Sequence, residues 1–292
     1  MKNIFDLQLF AAADLEPAIS IDHANRIASN IKELQEVLGV TEMQAMNAGT
    51  TIKLWKMEQV NTPEQVGEGE EIGLTNVKRS LAGTVELVLK KYRRNTTAEA
   101  IQKVGRNVAV NQSDEKLVSG IQKEIKRAFY DLLATGTGEA SGVGLQGALA
   151  AAWGEIKSFY EDEDATPIYF VSSGDVADYL GSAQVSMQTA FGMSYIKDFL
   201  GLGTVVVSPA LEKGKLIATA KENLNGAYIP ANTGDVASTF NLTGDSTGLV
   251  GIGHFPVSGN ASIDTLAMSG VVFYPEVLDG VIVATIAPVD AA

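Results

Sequence analysis

The chain of 292 residues contains no cysteine. Disulfide frameworks, thiolate zinc sites and a cysteine nucleophile are thereby excluded, and assembly in a reducing cytoplasm is compatible with that. Histidine is almost absent as well. With only His23 and His254 in the chain, imidazole chemistry has few candidates. No apolar run approaches the roughly 18–20 residues that a membrane-spanning helix requires. Positive charge is scarce: 22 Lys and Arg against 35 Asp and Glu give a formal net charge of −13. A direct nucleic-acid binder needs clustered cations to displace counterions, so this balance argues against one. What remains is an ordinary globular composition, 46% hydrophobic and 20% charged. A chain this long can bury about three quarters of its unfolded surface, as one large domain or two joined ones.

The first thirteen residues imitate a secretory leader, with Lys2, Leu7, Leu9, Phe10 and a run of alanines. Asp6 interrupts the apolar part and leaves it short of the roughly 7–15 residues a leader needs, so residues 1–20 read instead as an arm with little to bury. Ser20 or Asp22 can then cap a helix. Its apolar positions Ala24, Ile27, Ile31, Leu34 and Leu38 recur at spacings of three and four, and Gly39 stops it. Periodicity says that this face is covered, and leaves open whether its own domain or a neighbouring molecule covers it.

From Gly49 to Arg94 the pattern changes to two extended arms. Thr50, Ile52, Leu54 and Lys56 alternate with Thr51, Lys53, Trp55 and Met57, and Val85, Leu87 and Leu89 alternate with Glu86, Val88 and Lys90. Between the arms, Asn61 to Thr75 carries the breakers Pro63, Gly67, Gly69 and Gly73 and the acids Glu64, Glu68, Glu70 and Glu71. A two-stranded ribbon of arms about 30 Å long is marginal in water unless its apolar side lies on something else. It either folds back on its own domain or lies across another copy. The acidic tip and the basic exit, Lys78, Arg79, Lys90, Lys91, Arg93 and Arg94, favour the second, because opposite charges segregated along one ribbon can pair in trans and set register.

A long amphipathic helix is expected from Ser113 to Thr135, with Leu117, Val118, Ile121, Ile125, Ala128, Phe129, Leu132 and Leu133 on one stripe. Lys116, Lys123, Lys126 and Arg127 are expected to pair with Asp114, Glu115, Glu124 and Asp131 on a solvated face. Further on, the spacing predicts a helix over Leu145–Tyr160, a buried strand over Ile168–Val171 and a capped helix over Ser173–Leu180. A second helix is predicted over Tyr195–Leu200, strands over Val205–Val207 and Leu216–Ala220, and a tight turn at Asn225 and Gly226. The stretch Ile263–Ile286 reads as strands broken at Pro275 and at Asp279 and Gly280. Strands with helices between them indicate a mixed sheet covered by helices. Trp55 and Trp153 suit anchors at contacts or packing in a core.

An N-terminal arm ending in a helix, an acidic-tipped hairpin, the basic run Leu89–Thr97, a long helix and then a Gly-punctuated α/β region follow in that order. In this the chain resembles the major capsid protein of tailed bacteriophages with the HK97 fold, over nearly its whole length. The opening Leu7–Ala11 is also similar to the start of structural proteins of phages from Gram-positive hosts. The resemblance implies an α+β fold with an N-terminal arm and helix (1–47), an extended β-hairpin loop (48–94) and a peripheral domain with a spine helix (95–140). A mixed α/β axial domain (141–256) and C-terminal strands shared between the two domains (257–292) complete it. It implies a subunit that self-assembles into pentamers and hexamers of an icosahedral head shell in the virion, enclosing DNA without specific binding. A separate scaffolding protein and a portal protein are its implied partners, with no cofactor, metal, catalytic residue or membrane. The residues expected at contacts between subunits are Trp55, Glu64, Glu68, Glu70, Glu71, Lys78, Arg79, Lys90, Lys91, Arg93 and Arg94. The encapsulin-type bacterial compartment shares the fold and encloses enzymes, so it stands as the alternative. A monomeric adhesin or binding module is a third reading, and copy number per particle separates it from a shell.

Enzyme motifs fail on context. Gly142, Gly144 and Gly147 match the dinucleotide fingerprint, but a long helix is expected before them where a strand is needed, so a hinge is the better reading. Gly244, Ser246 and Gly248 fit a nucleophile elbow with His254 nearby. A serine hydrolase would need a helix after Ser246, whereas Leu249–Phe255 reads as extended. The acidic run Glu161–Asp164 lacks the spaced ligands of a calcium loop and reads as a solvated turn.

Overall fold

The computed structural model describes residues 29, 31–40, 43–59, 77–161, 165–181, 187–190, 193–244 and 248–288. In chain order the elements are helix α1 (31–38), then strands β1 (Met43–Ala45), β2 (Thr51–Gln59), β3 (Val77–Glu86) and β4 (Lys90–Thr97). Helices α2 (Ala98–Val104) and α3 (Arg106–Leu133), strand β5 (Gly138–Val143), helix α4 (Gly144–Phe159), strand β6 (Pro167–Ser172) and helix α5 (Ser173–Leu180) follow. After them come β7 (Gln188–Ala190), β8 (Met193–Ile196), β9 (Thr204–Ser208), β10 (Lys215–Ala220), β11 (Leu224–Ile229) and helix α6 (Gly234–Thr239). The chain closes with β12 (Thr243–Gly244), β13 (Val250–Val257), β14 (Ser262–Pro275) and β15 (Val281–Ala287).

Three sheets result. A seven-stranded mixed sheet has the order β5-β15-β10-β6-β9-β8-β7. A six-stranded sheet runs β1-β11-β14-β13-β12, with β4 also on β14. The 14-residue β14 ties the latter together: Ser262–Ser269 lies between β13 and β4, and Gly270–Pro275 pairs with β11. Strands β2 and β3 form a two-stranded ribbon of their own.

Helix α3 lies between the two large sheets because its apolar stripe is wide. Leu117, Val118, Ile121, Ile125, Phe129, Tyr130 and Leu133 are buried in one cluster with Ile168, Phe170 and Val206 of the seven-stranded sheet and Val250, Ile252, Ala267 and Phe273 of the six-stranded one. The Phe129 ring meets Phe170 at 5.4 Å and Phe273 at 6.2 Å, edge to face in both cases, a geometry that adds to the area term. Ile31, Leu34, Val37 and Leu38 of α1 join the same cluster, so the described part of the first helix packs on its own domain. Gly39 ends it with φ +77, the left-handed stop that glycine supplies without strain. The expected Ala24 and Ile27 lie outside the described residues. A second core forms on the opposite face of the seven-stranded sheet, where Leu145, Leu149, Ala152 and Ile156 of α4 cover Tyr169, Leu216, Ala218, Ile282 and Ala284.

Several expectations need correction. Helix α3 begins at Arg106, seven residues before the expected Ser113, after a break at Gly105 with φ +86. The Ser113-Asp114-Glu115 run imitates a cap, but Asp114 is an interior residue of the helix, buried and bonded across to the sheet, and takes no part in a solvated face. Tyr195–Leu200 is no helix: Ser194, Tyr195 and Ile196 pair with Val207, Val206 and Val205, and a tight turn follows in which Asp198 and Leu200 are left-handed. Asn225 and Gly226 lie inside β11 rather than in a turn. There a Cβ on Gly226 would crowd Phe273 at 3.3 Å, so the glycine serves close packing. The expected axial segment 141–256 spans two layers, because β11, β12 and β13 pair in the six-stranded sheet with β14, away from β5–β10. The second arm of the hairpin starts at Val77, and its partner residues run from Thr51↔Glu86 to Gln59↔Val77.

Candidate assembly interface

The ribbon is rooted in its own subunit. Ile52 and Leu54 of β2 and Leu87 beyond β3 are buried against Ala227, Ile229, Tyr274 and Leu278. At Trp55 the strand gains a second neighbour while it stays paired with β3: its N–H donates to the Glu276 carbonyl at 3.0 Å, and Leu278 N–H donates to the Trp55 carbonyl at 3.0 Å. The pairing register shifts at this same point, between Leu54 and Trp55. Arg79 on β3 adds an ion pair to Glu276 at 3.5 Å. At its root the ribbon therefore folds back on its own domain, the alternative that the charge pattern did not favour. Period-2 alternation reported a buried face, and part of what buries it is β11 and the β14–β15 connection.

The eleven expected contact residues fall into separate places. Trp55 is half-buried at the root and Lys78 is exposed on β3. Glu64, Glu68, Glu70 and Glu71 lie outside the described residues. Lys90, Lys91, Arg93 and Arg94 belong to β4, an edge of the six-stranded sheet, rather than to the ribbon's exit. Two of these cations are used within the subunit. Lys90 Nζ stands 2.8 Å from Glu124 of α3, and Arg93 Nε donates to Asp264 Oδ2 at 2.7 Å beside Asn95, whose Nδ2 donates to Oδ1 at 2.7 Å. Lys91 and Arg94 are exposed.

These partners shift the acids. The Asn95 hydrogen bond, seconded by Arg93, holds the Asp264 carboxyl below its usual range, and the Lys90 hydrogen bond does the same for Glu124. A carboxyl depressed in the folded state stabilises above its unfolded pKa, near 4, and that contribution is lost as pH falls through the folded value. Thermal melts of the free subunit should therefore show a midpoint that drops below about pH 4. An Asp264→Asn variant should lose part of this acid slope, and an unchanged slope would rule out the assignment.

The one described histidine sits in a polar knot that the sequence did not foretell. His254 Nε2 of β13 lies 2.8 Å from Asp114 Oδ2, and the Thr265 hydroxyl of β14 donates to Asp114 Oδ1 at 2.8 Å. The His254 and Asp114 side chains are only 3% and 1% exposed. This places His254 between helix and sheet, pinned to α3, where it positions structure; Ser246 lies outside the described residues. Alternation along β13 put His254 on the inward face, and that was the only available signal.

The glycine motif also needs a new reading. A strand, β5, does precede Gly144, and Gly144 with φ +66 opens α4. A Cβ on Gly142 would stand 2.2 Å from the Gly147 carbonyl carbon. The glycines thus let strand and helix touch, and the hinge expectation is replaced by a close-packed turn. The adjoining crevice, about 680 Å³, is lined by Asp175, Asp178, Tyr179 and Lys213. Lys213 is taken up by Asp178 at 2.8 Å, and two carboxyl groups at this helix start oppose a phosphate. Among the described residues no group of three or more His, Asp and Glu forms a metal cage, and no helix is long and apolar enough to cross a membrane.

No family model and no curated protein matches the sequence. Solved structures do match. A phage-related protein from Bordetella bronchiseptica superposes with a TM-score of 0.56 at 11% identity, over 94% of this chain and 98% of that one. The capsid of an empty GTA particle gives 0.53 at 10% identity, over 87% and 90%. A structure of Gordonia phage Cozz gives 0.51 at 9% identity, over 87% and 86%. At such identity the likeness is one of fold. The chain has the α+β, HK97-like fold of capsid shells.

Proposed function

We propose that this chain is the major capsid protein of a tailed bacteriophage, a subunit that assembles into pentamers and hexamers of the head shell. One observation carries the reading: the β2–β3 ribbon is a separate two-stranded sheet, rooted in its own body through Ile52, Leu54, Trp55 and Leu87, with Leu81 on β3 still 55% exposed. A ribbon of this kind gains stability by covering its apolar side, and a neighbouring copy is the surface that a closed array supplies. The likeness to the capsid of the GTA particle across most of both chains supports the same conclusion. In this reading the six-stranded sheet, α3 and the ribbon make the peripheral part, and the seven-stranded sheet with α4 and α5 makes the axial part.

Trp55, Lys78, Arg79, Lys91 and Arg94, with the acids Glu64, Glu68, Glu70 and Glu71, are the residues we assign to contacts between copies. Lys90 and Arg93 hold β4 to α3 and β14 within each copy and orient the same edge. The role is geometric: many modest interfaces in a closed array pin each copy several times over. No catalytic step is assigned. The net charge of −13 suits a lining that encloses DNA without gripping it. A scaffolding protein and a portal protein are the further partners we propose, in the virion and during assembly in the host cytoplasm.

Electron microscopy and sedimentation of the purified chain, alone and with its neighbouring gene products, test this reading. Closed shells of tens to hundreds of copies are expected. Particles of one copy under all these conditions overturn it, and shells filled with an enzyme in place of nucleic acid transfer it to the encapsulin type.

A further inference from the structure

We propose that the exposed crest of α3 is a sequence-independent docking line for double-stranded DNA held inside the shell, with Lys116, Lys123 and Arg127 meeting phosphates and Gly120 letting the DNA backbone come close. The inference takes its ligand from the shell reading above. It adds where on the subunit that ligand is touched, and so which side of the subunit faces inward.

The acidic balance of the whole chain hides a local excess of the other sign. Residues 90–127 hold ten of the 22 Lys and Arg but only four of the 35 Asp and Glu. Two of those four acids are already engaged: Asp114 points into the subunit, to His254 and Thr265, and Glu124 is bonded to Lys90. Glu115, one residue before Lys116, lies about 100° round the helix from it. Clustered cations on one face, rather than net charge, are the footprint of phosphate binding.

Lys116, Lys123 and Arg127 are spaced by seven and four residues, which puts them on one side of the helix, opposite the buried Val118, Ile121 and Ile125. All three are exposed. Neither Lys116 nor Lys123 has an ion-pair partner among the described residues, and Arg127 has Asp131 at 3.8 Å with both side chains largely in water. The crest also repels itself. Lys123 stands three residues before Lys126 and four before Arg127, spacings at which like charges destabilise a helix. Burial, and after it the Lys123 charge, pushes the Lys126 ammonium below its ordinary pKa.

Gly120 is an independent observation. It lies in the middle of a 28-residue helix, where glycine is less favourable than any residue but proline. Nothing within the subunit asks for it, since a Cβ built there meets no atom within 4 Å. With the exposed Ser119 it leaves a shallow notch between Lys116 and Lys123. A glycine kept on an open surface suits close approach of the backbone by something from outside. Charge complementarity selects the visitor. The crest runs about 17 Å from Lys116 to Arg127 at 1.5 Å per residue, a length over which a duplex presents about ten phosphates. A protein partner would be anchored by apolar or aromatic side chains at the centre of its contact, and between Gln112 and Arg127 helix α3 exposes no large apolar side chain. Phosphate contacts of this kind position DNA and carry no sequence information.

Binding of a short labelled DNA duplex to the unassembled full chain, followed by fluorescence anisotropy at several salt concentrations, tests the crest. Three cations meeting about three phosphates should make the affinity fall about fortyfold between 50 and 200 mM salt. Lys116→Gln combined with Lys123→Gln should leave about one phosphate contact and a fall of about threefold, with the thermal midpoint of the subunit unchanged. Lys197→Gln combined with Lys213→Gln, the same loss of charge elsewhere on the surface, should keep the parent's salt dependence. Gly120→Gln should weaken binding at least threefold at 50 mM salt while it holds or raises the thermal midpoint, a split that a merely structural glycine would not give. No binding at 50 mM salt, a crest variant with the parent's salt dependence, or shells whose α3 crest lies on the outer surface overturn this inference and leave the shell reading standing. Tighter binding of an acidic peptide copying residues 61–75 than of DNA overturns it as well, in favour of a contact between copies. DNA binding with the expected salt dependence by a chain that forms no shell keeps the docking line and removes the shell reading.

Discussion

Replacing residues 58–78 by an Asn-Gly turn is expected to leave a folded subunit that no longer forms shells. Met57 and Arg79 are register partners, so a two-residue turn between them closes the shortened hairpin without disturbing the pairing below. The Trp55 backbone bonds and the Arg79–Glu276 pair stay in place. The thermal midpoint of the free subunit should move by no more than a few degrees, because every described member of the core clusters is kept. The assembled fraction, read by sedimentation, should fall by at least a hundredfold. Particles of normal size and yield from this variant would show that the ribbon covers only its own subunit.

The second large effect is on stability. Asp114→Ala removes the acceptor of two buried donors, leaving His254 and Thr265 with lost partners in a site closed to water. Breaking such a pair from one side costs about 3–5 kcal/mol, more than most single substitutions. Urea unfolding of the free subunit measures it. Replacing both Asp114 and His254 by Leu should cost less than the two single replacements added together, since neither member of the His254–Asp114 pair is then left behind and only the Thr265 hydroxyl loses its acceptor. A loss below about 1 kcal/mol for Asp114→Ala would mean that the knot contributes little.

How much of this was legible depended on whether a residue's local pattern and its tertiary use agreed. Helix α5 and strand β6 came through because Ser172 caps the helix through its side chain and all six residues of β6 are buried, so a short apolar run beside a cap had one solution. Helix α4 came through because its apolar spacing matched the face it buries. Strand β8 did not: Tyr195, Ile196, Phe199 and Leu200 have helical spacing, but pairing with β9 and the left-handed turn at Asp198 and Leu200 overrode it. Asp114 was misread for the same kind of reason. Beside Ser113 it looks like the start of a helix, and only a sheet residue 140 positions away explains its burial.

The candidate interface was legible as composition and not as geometry. Charge segregation from Lys78 to Arg94 is plain in the sequence, but nothing local says that Lys90 and Arg93 pair with Glu124 and Asp264 of the same subunit. Lys90 and Arg93 lie three positions apart, on opposite faces of β4, and their partners, Glu124 of α3 and Asp264 of β14, follow only from the fold. The root of the ribbon was hidden too, because its cover comes from Tyr274 and Leu278, near the far end of the chain.

The aromatic contacts of Phe129 with one ring from each large sheet have a mechanical consequence. Swivelling the two sheets about α3 would part Phe129 from Phe170 or Phe273 and open a void at the centre of the shared core. Each subunit should therefore behave as a stiff tile. In the shell proposed above, any change of curvature would then fall at the seams between tiles, with their interiors carried along unchanged.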